Sequence, residues 1–340
     1  MNPQSEAQLI SIIIPAFNGA ARIRRCLDAL LGQSGRYRAE ILVVNDGSAD
    51  NTAEVVGAYP GVLLINQANS GPAAARNCGA AAASGEIILF TDDDCVPSPQ
   101  WLGAMLKPFE EADVVGAKGA YRTRQKSLIA RFVQIEYEDR YRRMKQFRDI
   151  DFVDTYSAAF RRNAFLEMAG YDTSFPVACA EDAELSYRMS ARGWQMRFAP
   201  EAVVYHTHPS TLIDYLKKKY KFAFWRVRAL RKNPIKTVHD SHTPQVMKLQ
   251  LLLAPALGCG LIADLTQHTS GWLTFAVAVA FLISTLPFTA RAFAKDPMVG
   301  LVSPFFLAAR ACTQCGGVVA GLLNATRSPV EVRTNSSAGS

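Results

Sequence analysis

Several features that would settle this protein's class quickly are missing from the sequence. Its 7 cysteines, at positions 26, 78, 95, 179, 259, 312 and 315, are odd in number and too scattered for a small-domain disulfide framework. That usage points to reduced thiols in a cytosolic compartment. Cys312 and Cys315 make a C-x-x-C with no second pair, which reads as two small residues on one helix face rather than a zinc or redox site. Gly 22 and Pro 17 are ordinary counts for 340 residues and exclude collagen-like and low-complexity chains. No basic leader opens the sequence, and the apolar run at 9–17 is short and broken by Pro15. The chain is therefore expected to begin in the cytosol. A chain-wide excess of charge is missing too. The net charge is +7, yet residues 206–248 alone carry ten Lys/Arg against two Asp, a net +8, which leaves about −1 on the other 297 residues. The basicity is a local patch beside apolar segments, which argues against a nucleic-acid partner.

What is present begins with alternation. Ile10–Pro15, Glu40–Val44, Val62–Asn66 and Glu86–Thr91 read as short apolar strands, separated by helical stretches at Ala20–Gly32, Ala53–Ala58 and Pro72–Ser84. Continuous apolar strands between helices predict a parallel sheet covered on both faces, with ligands at the carboxyl ends of its strands. Farther on, Ser127–Met144 reads as an amphipathic helix in a segment, 122–148, with nine Lys/Arg and three Asp/Glu. Asp154–Phe160 and Arg197–Tyr205 resemble strands, and Glu181–Arg192 a helix stopped by Gly193.

After about residue 245 the composition changes. Trp272–Ala290 is nineteen residues without a charge, close to the ~20 needed to cross a bilayer. Leu249–Ala263 is a weaker span stopped by Asp264. Val299–Leu323 is apolar but carries Arg310 in its middle, where a lipid-facing charge costs ~2.5–3.5 kcal/mol. The expectation is an antiparallel membrane hairpin, with the third segment either interfacial or a third span. The basic, aromatic stretch Leu212–Lys232 fits an interfacial helix on anionic lipid, as does the Arg-rich 122–148, which alternatively meets a phosphorylated acceptor.

Chemistry concentrates at the strand ends. Asp92-Asp93-Asp94 follows a buried strand. Three adjacent carboxylates repel, so either water solvates them as a turn or a hard divalent cation binds them. Asn45-Asp46-Gly47-Ser48 closes the second strand and reads equally as a turn or helix cap. Pro15-Ala16-Phe17-Asn18 closes the first, and Arg76 brings a guanidinium suited to phosphate near the same rim. Glu181-Asp182 opens a helix, where the macrodipole alone would favour acids.

Taken together, these segments resemble the family-2 glycosyltransferases of the GT-A fold. The resemblance rests on 11–18 (SIIIPAFN), 43–50 (VVNDGSAD), 75–79 (ARNCG), 90–94 (FTDDD) and 180–188 (AEDAELSYR), and covers about residues 9–210. It implies that Pro15, Phe17, Asn18 and Asp46 hold the base of a nucleotide sugar, with Asn45 standing where the family usually has Asp. It places Asp93 near the ribose and Asp94, with Asp92, on Mn²⁺ or Mg²⁺ bridging the diphosphate, assisted by Arg76. Asp182 takes the role of catalytic base, Glu181 a structural or acceptor-binding one, and His206 that of a further metal ligand. The Q-x-x-R-W signature of processive members is absent downstream, where residues 217–228 read KKKYKFAFWRVR. Transfer of a single sugar is the better expectation.

The fold class expected is therefore α/β, a GT-A, Rossmann-like, mostly parallel sheet flanked by helices, followed by a C-terminal membrane helix hairpin. The divisions are a catalytic domain at 1–210, a basic interfacial helix and linker at 211–248, a transmembrane region at 249–325, and a disordered tail at 326–340. The function expected is metal-dependent, inverting transfer from a nucleotide-diphosphate sugar, UDP favoured, to a lipid-linked or membrane-proximal glycan acceptor in cell-surface polysaccharide or glycolipid synthesis. The site would be the cytoplasmic face of the inner membrane, in contact with its lipids. A nucleotidyltransferase is the rival enzyme class, but it wants a Lys-bearing glycine-rich loop, and 18–22 (NGAAR) is a poor one. A silent scaffold is the other rival, and it would have been free to lose Asp94 or Asp182.

Overall fold

Residues 9–34, 37–175, 179–237, 240–267 and 270–325 are described by a computed structural model; the expected tail at 326–340 lies outside the described residues. In chain order the elements are β1 (Leu9–Ala16), α1 (Ile23–Leu31), β2 (Arg38–Asp46), α2 (Thr52–Gly57), β3 (Val62–Gln67), α3 (Pro72–Ala82) and β4 (Ile87–Phe90). Then come β5 (Val96–Pro97), α4 (Trp101–Leu106), β6 (Val114–Arg122), α5 (Leu128–Met144), β7 (Ala158–Arg161) and α6 (Arg162–Glu167). The chain closes with α7 (Glu181–Ala191), β8 (Gln195–Tyr205), α8 (Leu212–Lys232), α9 (Gln245–Gln267), α10 (Trp272–Lys295) and α11 (Pro297–Ala325).

The eight strands form one sheet in the order β3-β2-β1-β4-β7-β6-β8-β5. Its first half is parallel, as the continuous apolar runs predict: Ile12, Ile13, Ile14, Val43, Val44, Ile88, Leu89 and Phe90 are buried together. Its second half is mixed. β7 runs antiparallel to β4 and β6, and β5 antiparallel to β8, while β6 and β8 are parallel. Register brings the working ends to one rim. Phe90 pairs with Ile13, so β4 stops short of the end of β1 and the acidic triplet runs on beneath it. β7 pairs Ala158 with Phe90, which delivers Asp154–Ser157 to that rim, and Arg122 pairs with Tyr205, which delivers His206. The expected strand at Asp154–Phe160 starts later than predicted. A 3-10 turn occupies Thr155–Ser157, and Asp154 turns inward to pair with fully buried Lys118.

α9, α10 and α11 are each long and apolar enough to cross a membrane, with mean hydropathies of 1.8, 2.0 and 1.4 over their most apolar stretches. The segment left open as interfacial or spanning is thus one continuous helix, α11. Its Arg310 does not face lipid: Nη1 donates to Glu136 on α5 at 2.6 Å and Nη2 to Gln250 on α9 at 2.7 Å. Satisfying the charge inside the bundle removes the insertion cost. α11 also runs against α8 so closely that a Cβ on Gly317 would lie 2.5 Å from the Tyr220 carbonyl. α8 is accordingly a layer between the sheet domain and the bundle. A second apolar cluster joins α5, α8, α10 and α11 through Phe132, Tyr215, Ala292 and Phe306.

Candidate active site

One cleft of about 840 Å³, inside the ~300–1,000 Å³ range of small-molecule sites, opens along the rim of the sheet. Pro15, Phe17, Asp46, Arg76, Asp92, Asp93, Asp94, Glu181, Asp182 and His206 all line it. Asn18 does not. At φ 48 it sits in a left-handed turn, and its side chain accepts from the Ala49 N–H at 2.9 Å, clipping the first strand end to the second.

Asp46, at the end of β2, is 3% exposed. Its carboxylate accepts from Gln67 at 2.7 Å, from the Ser70 N–H at 2.8 Å and from the Gly71 N–H at 2.9 Å. It therefore fixes the β3–α3 loop as one wall of the cleft. Asn45 holds Asn66 of β3 at 2.9 Å and does not line the cleft.

The three aspartates have different partners. Asp92 accepts from Arg76 at 2.7 Å. Asp93 accepts from Arg22 at 2.9 Å, close enough that a Cβ on Gly19 would strike its carboxylate at 2.2 Å. Burial, with Asp94 and Asp92 adding to it, raises Asp93 to about 6 against the pull of Arg22. Asp94 meets His206, with Oδ2 and Nε2 3.1 Å apart. Burial pushes Asp94 up, but the His206 hydrogen bond and charge, with Arg22, outweigh it and hold the carboxyl below its ordinary value.

This corner fits a divalent cation. Ligand atoms of Asp94, Cys95 and His206 lie within 4.8 Å of one another. Two ligands at right angles, each ~2.1 Å from a metal, stand about 3 Å apart, the spacing seen between Asp94 and His206. Cys95 is not a donor of the same kind. It is fully buried, and burial reinforced by Asp92 and Asp94 pushes its thiol well above the ordinary range, so it stays protonated. Asp92, already committed to Arg76, would be the weaker metal ligand of the pair Asp92 and Asp94. The His206 ring stacks on Tyr121 at 4.8 Å, and its Nδ1 is buried without a hydrogen-bond partner among the described residues.

Across the cleft, Arg76 is 2% exposed and bridges Asp92 to Glu181 Oε1 at 3.2 Å. The other Glu181 oxygen accepts from the N–H groups of Cys179 and Ala180 at 2.8 and 3.1 Å, capping the start of α7. Glu181 is thus wholly engaged in structure. Asp182 is partly buried and accepts from the Ala183 N–H through Oδ1 at 2.7 Å. Burial first, and then the negative charge of Glu181, raise it to about 7.

Sequence reasoning missed the residues that close the cleft from above. Lys217, Lys218 and Lys221 of α8, read as lipid-facing, line it, and burial pulls Lys218 down against Asp94 and Asp92. Arg140, Arg226 and His242 line it as well. Their only signal was the charge density of two segments, which names no site.

Residues 11–168 match the family described as Glycosyl transferase family 2. The pre-mycofactocin glycosyltransferase of Mycobacterium tuberculosis (strain ATCC 25618 / H37Rv) is 26% identical over 265 residues, covering 75% of this chain and 55% of that protein. The probable glycosyltransferase YdaM of Bacillus subtilis (strain 168) is 29% identical over 235 residues, covering 64% and 55%. The chain thus spans about half the length of these curated relatives. Among solved structures, the mannosyltransferase PcManGT from Pyrobaculum calidifontis, in complex with GDP-Man and Mn²⁺, superposes with a TM-score of 0.62. It covers 94% of this chain and 88% of its own at 20% identity, which establishes a shared fold.

Proposed function

We propose that this chain, which carries a family-2 glycosyltransferase domain, is an inverting transferase moving one sugar from a nucleoside-diphosphate sugar to an acceptor at a membrane surface. One observation carries the reading. A single cleft sets a carboxyl group tuned to about 7, Asp182, across from an acid and imidazole pair, Asp94 and His206. A general base works best with a pKa near the operating pH, and burial with Glu181 beside it moves Asp182 in that direction.

In the reaction, an acceptor hydroxyl oxygen attacks the anomeric carbon of the donor sugar. The new C–O bond forms as the bond from that carbon to the diphosphate breaks, and the electron pair leaves with the diphosphate. The hydroxyl proton passes to Asp182. Its Oδ1 already accepts from Ala183, which leaves Oδ2 to take the proton. Attack from the face opposite the diphosphate inverts the anomeric centre. Asp94 and His206 would hold a divalent cation, Mn²⁺ or Mg²⁺, which offsets charge on the departing diphosphate. Lys218, which feels Asp94 and Asp92, adds positive charge beside that place, and Lys217 and Lys221 line the same cleft. Asp46 and Phe17 shape the pocket for the base, and Arg22 keeps Asp93 facing the donor. PcManGT, the neighbour bound to GDP-Man and Mn²⁺, supports a donor and metal of this kind.

The three apolar helices fit anchoring in a membrane. Because nucleotide sugars are cytosolic, the catalytic domain belongs on the cytoplasmic face of the plasma membrane. The direct test is a thermal-shift screen of the detergent-solubilised protein with UDP, GDP, dTDP and CMP, each with and without Mn²⁺. A metal-dependent rise with one diphosphate is expected, because a ligand that binds the native state stabilises it by mass action. Folded protein that responds to none of them would end the reading.

A further inference from the structure

The part of the cleft wall made by Arg140, Arg226 and His242 is rich in hydrogen-bond donors and holds one paired acid, Asp240, 3.7 Å from Arg226. Arg140 on α5 forms no ion pair among the described residues. Its Nη1 lies 3.3 Å from His242 Nε2, and its guanidinium stands 5.5 Å from the centre of the Tyr137 ring. Because guanidinium only donates, His242 Nε2 accepts, and the ring proton belongs on Nδ1. That Nδ1 is buried and has no partner among the described residues, although His242 as a residue is 8% exposed and lines the cleft. An unmet buried donor is costly and asks for an acceptor.

Arg226 on α8 completes the group. It donates to Tyr187 at 2.5 Å and to Thr243 at 3.1 Å, and its nearest acid, Asp240, is 3.7 Å away. The two elements converge on one ring. Arg226 lies 5.7 Å from the centre of Phe152, on which His242 stacks at 3.9 Å. The donor does not need these groups. A diphosphate beside Asp94 and a divalent cation sums to about one negative charge, and Lys218, which feels Asp94 and Asp92, already answers it. Two guanidinium groups and an imidazole N–H also outnumber the oxygens of a carboxylate, whereas a phosphate offers enough acceptors for all three.

We propose that Arg140, Arg226 and His242 form an acceptor subsite for a phosphate group, so that the acceptor is a phosphate-bearing molecule whose attacking oxygen lies close to that phosphate. The inference rests on the transferase reading, which makes this the acceptor end. Both arginines sit on helices whose other faces carry the membrane bundle, so a phosphate with an apolar tail and a soluble sugar phosphate are both within its chemistry.

The test uses the full chain in an uncharged detergent, saturated with Mn²⁺ and the nucleoside diphosphate that binds it. Dodecyl phosphate and glycerol 3-phosphate are then titrated by calorimetry. At least one should bind without displacing the nucleotide. Arg140→Gln and Arg226→Gln should each weaken it at least about tenfold, the worth of a charged hydrogen bond, with nucleotide affinity changed less than about twofold. Arg140→Lys, which keeps the charge but loses the fork, should recover part of the loss and serves if the Gln variants fail to fold. Tighter binding of dodecyl phosphate assigns a lipid acceptor, and tighter binding of glycerol 3-phosphate a soluble one. Wild-type protein that binds nucleotide but neither phosphate overturns the subsite alone, as do variants that bind phosphate like wild type. Failure to bind any nucleotide overturns the transferase reading beneath it.

Discussion

Arg76 and Arg310 are both nearly inaccessible arginines, and each holds a glutamate that is itself buried: Glu181 at 3.2 Å and Glu136 at 2.6 Å. Their surroundings differ in the balance of charge. Around Arg76 the acids outnumber the cation, since Asp92 and Glu181 share one guanidinium and Asp182 stands next door. Around Glu136 the cations outnumber the acid, since Lys219 at 3.0 Å joins Arg310. The consequences run in opposite directions. Burial and the surplus negative charge raise Asp182 to about 7. At Glu136 burial pushes the same way, but Lys219 and Arg310 outweigh it and pin the carboxylate well below its ordinary range. One cluster lines a cleft and raises a carboxyl group there; the other seals the seam between sheet domain and bundle. The chemistry of the groups is shared, and the local charge count decides which becomes reactive.

Breaking each cluster should therefore do different damage. Asp182→Asn keeps the shape and removes the base, and transfer should fall about 10²–10⁴-fold while nucleotide affinity stays near wild type. Turnover and nucleotide titration on the same preparation check this, and strong residual transfer would dismiss Asp182 as the base. Glu136→Ala strands two buried cations at the seam and should cost about 3–5 kcal/mol of stability, read from denaturant unfolding in detergent. Replacing Glu136, Lys219 and Arg310 together by Met should restore most of that loss, because a buried ionic group swapped for apolar side chains is often near neutral. If the triple variant is as unstable as Glu136→Ala, the seam depends on packing shape and not on charge. Asp94→Ala comes next. It should weaken Mn²⁺-dependent nucleotide binding by more than the ~10–100-fold that an outer partner of a metal ligand is worth. An unchanged Mn²⁺ requirement would take Asp94 out of the metal corner.

The same contrast explains what the sequence disclosed. β1, β2 and β4 are buried on both faces, so they read as unbroken apolar runs, and the acids after them fall at one rim because parallel strands end together. Local patterns therefore located Asp46 and the acidic triplet, whereas Asp182, at the start of α7, was reached through the family resemblance. Nothing local located β6, because Lys118 interrupts its apolar run and the neutralising Asp154 lies far along the chain. Arg310 misled for the same reason: it looked like a break in a membrane helix, and its partner Glu136 is 174 residues away. The three lysines of α8 read as lipid-facing because their spacing fits an amphipathic helix whichever surface it meets. Only the packing of α8 against α11 turns them toward the cleft. Pairing across such distances is a tertiary fact, and no window of sequence contains it.

The smallest effect expected is the most specific to the charge balance. If Asp182 accepts the proton, it must be a carboxylate when the acceptor attacks. The rate constant for transfer at low substrate should then rise about tenfold per pH unit up to about pH 7 and flatten above it. Burial is the larger cause of the raised value and Glu181 the next, so the two can be separated. Glu181→Gln removes one negative charge and keeps the size of the side chain. The rising limb should move to lower pH but stay above the ordinary aspartate value of 3.8, because burial, the larger cause, remains. A limb that does not move would place the whole displacement in burial, and the surplus of acids around Arg76 would then be a matter of architecture alone. A limb that falls all the way to the ordinary aspartate value would show that burial alone does not raise Asp182 and that Glu181 is the tuning group.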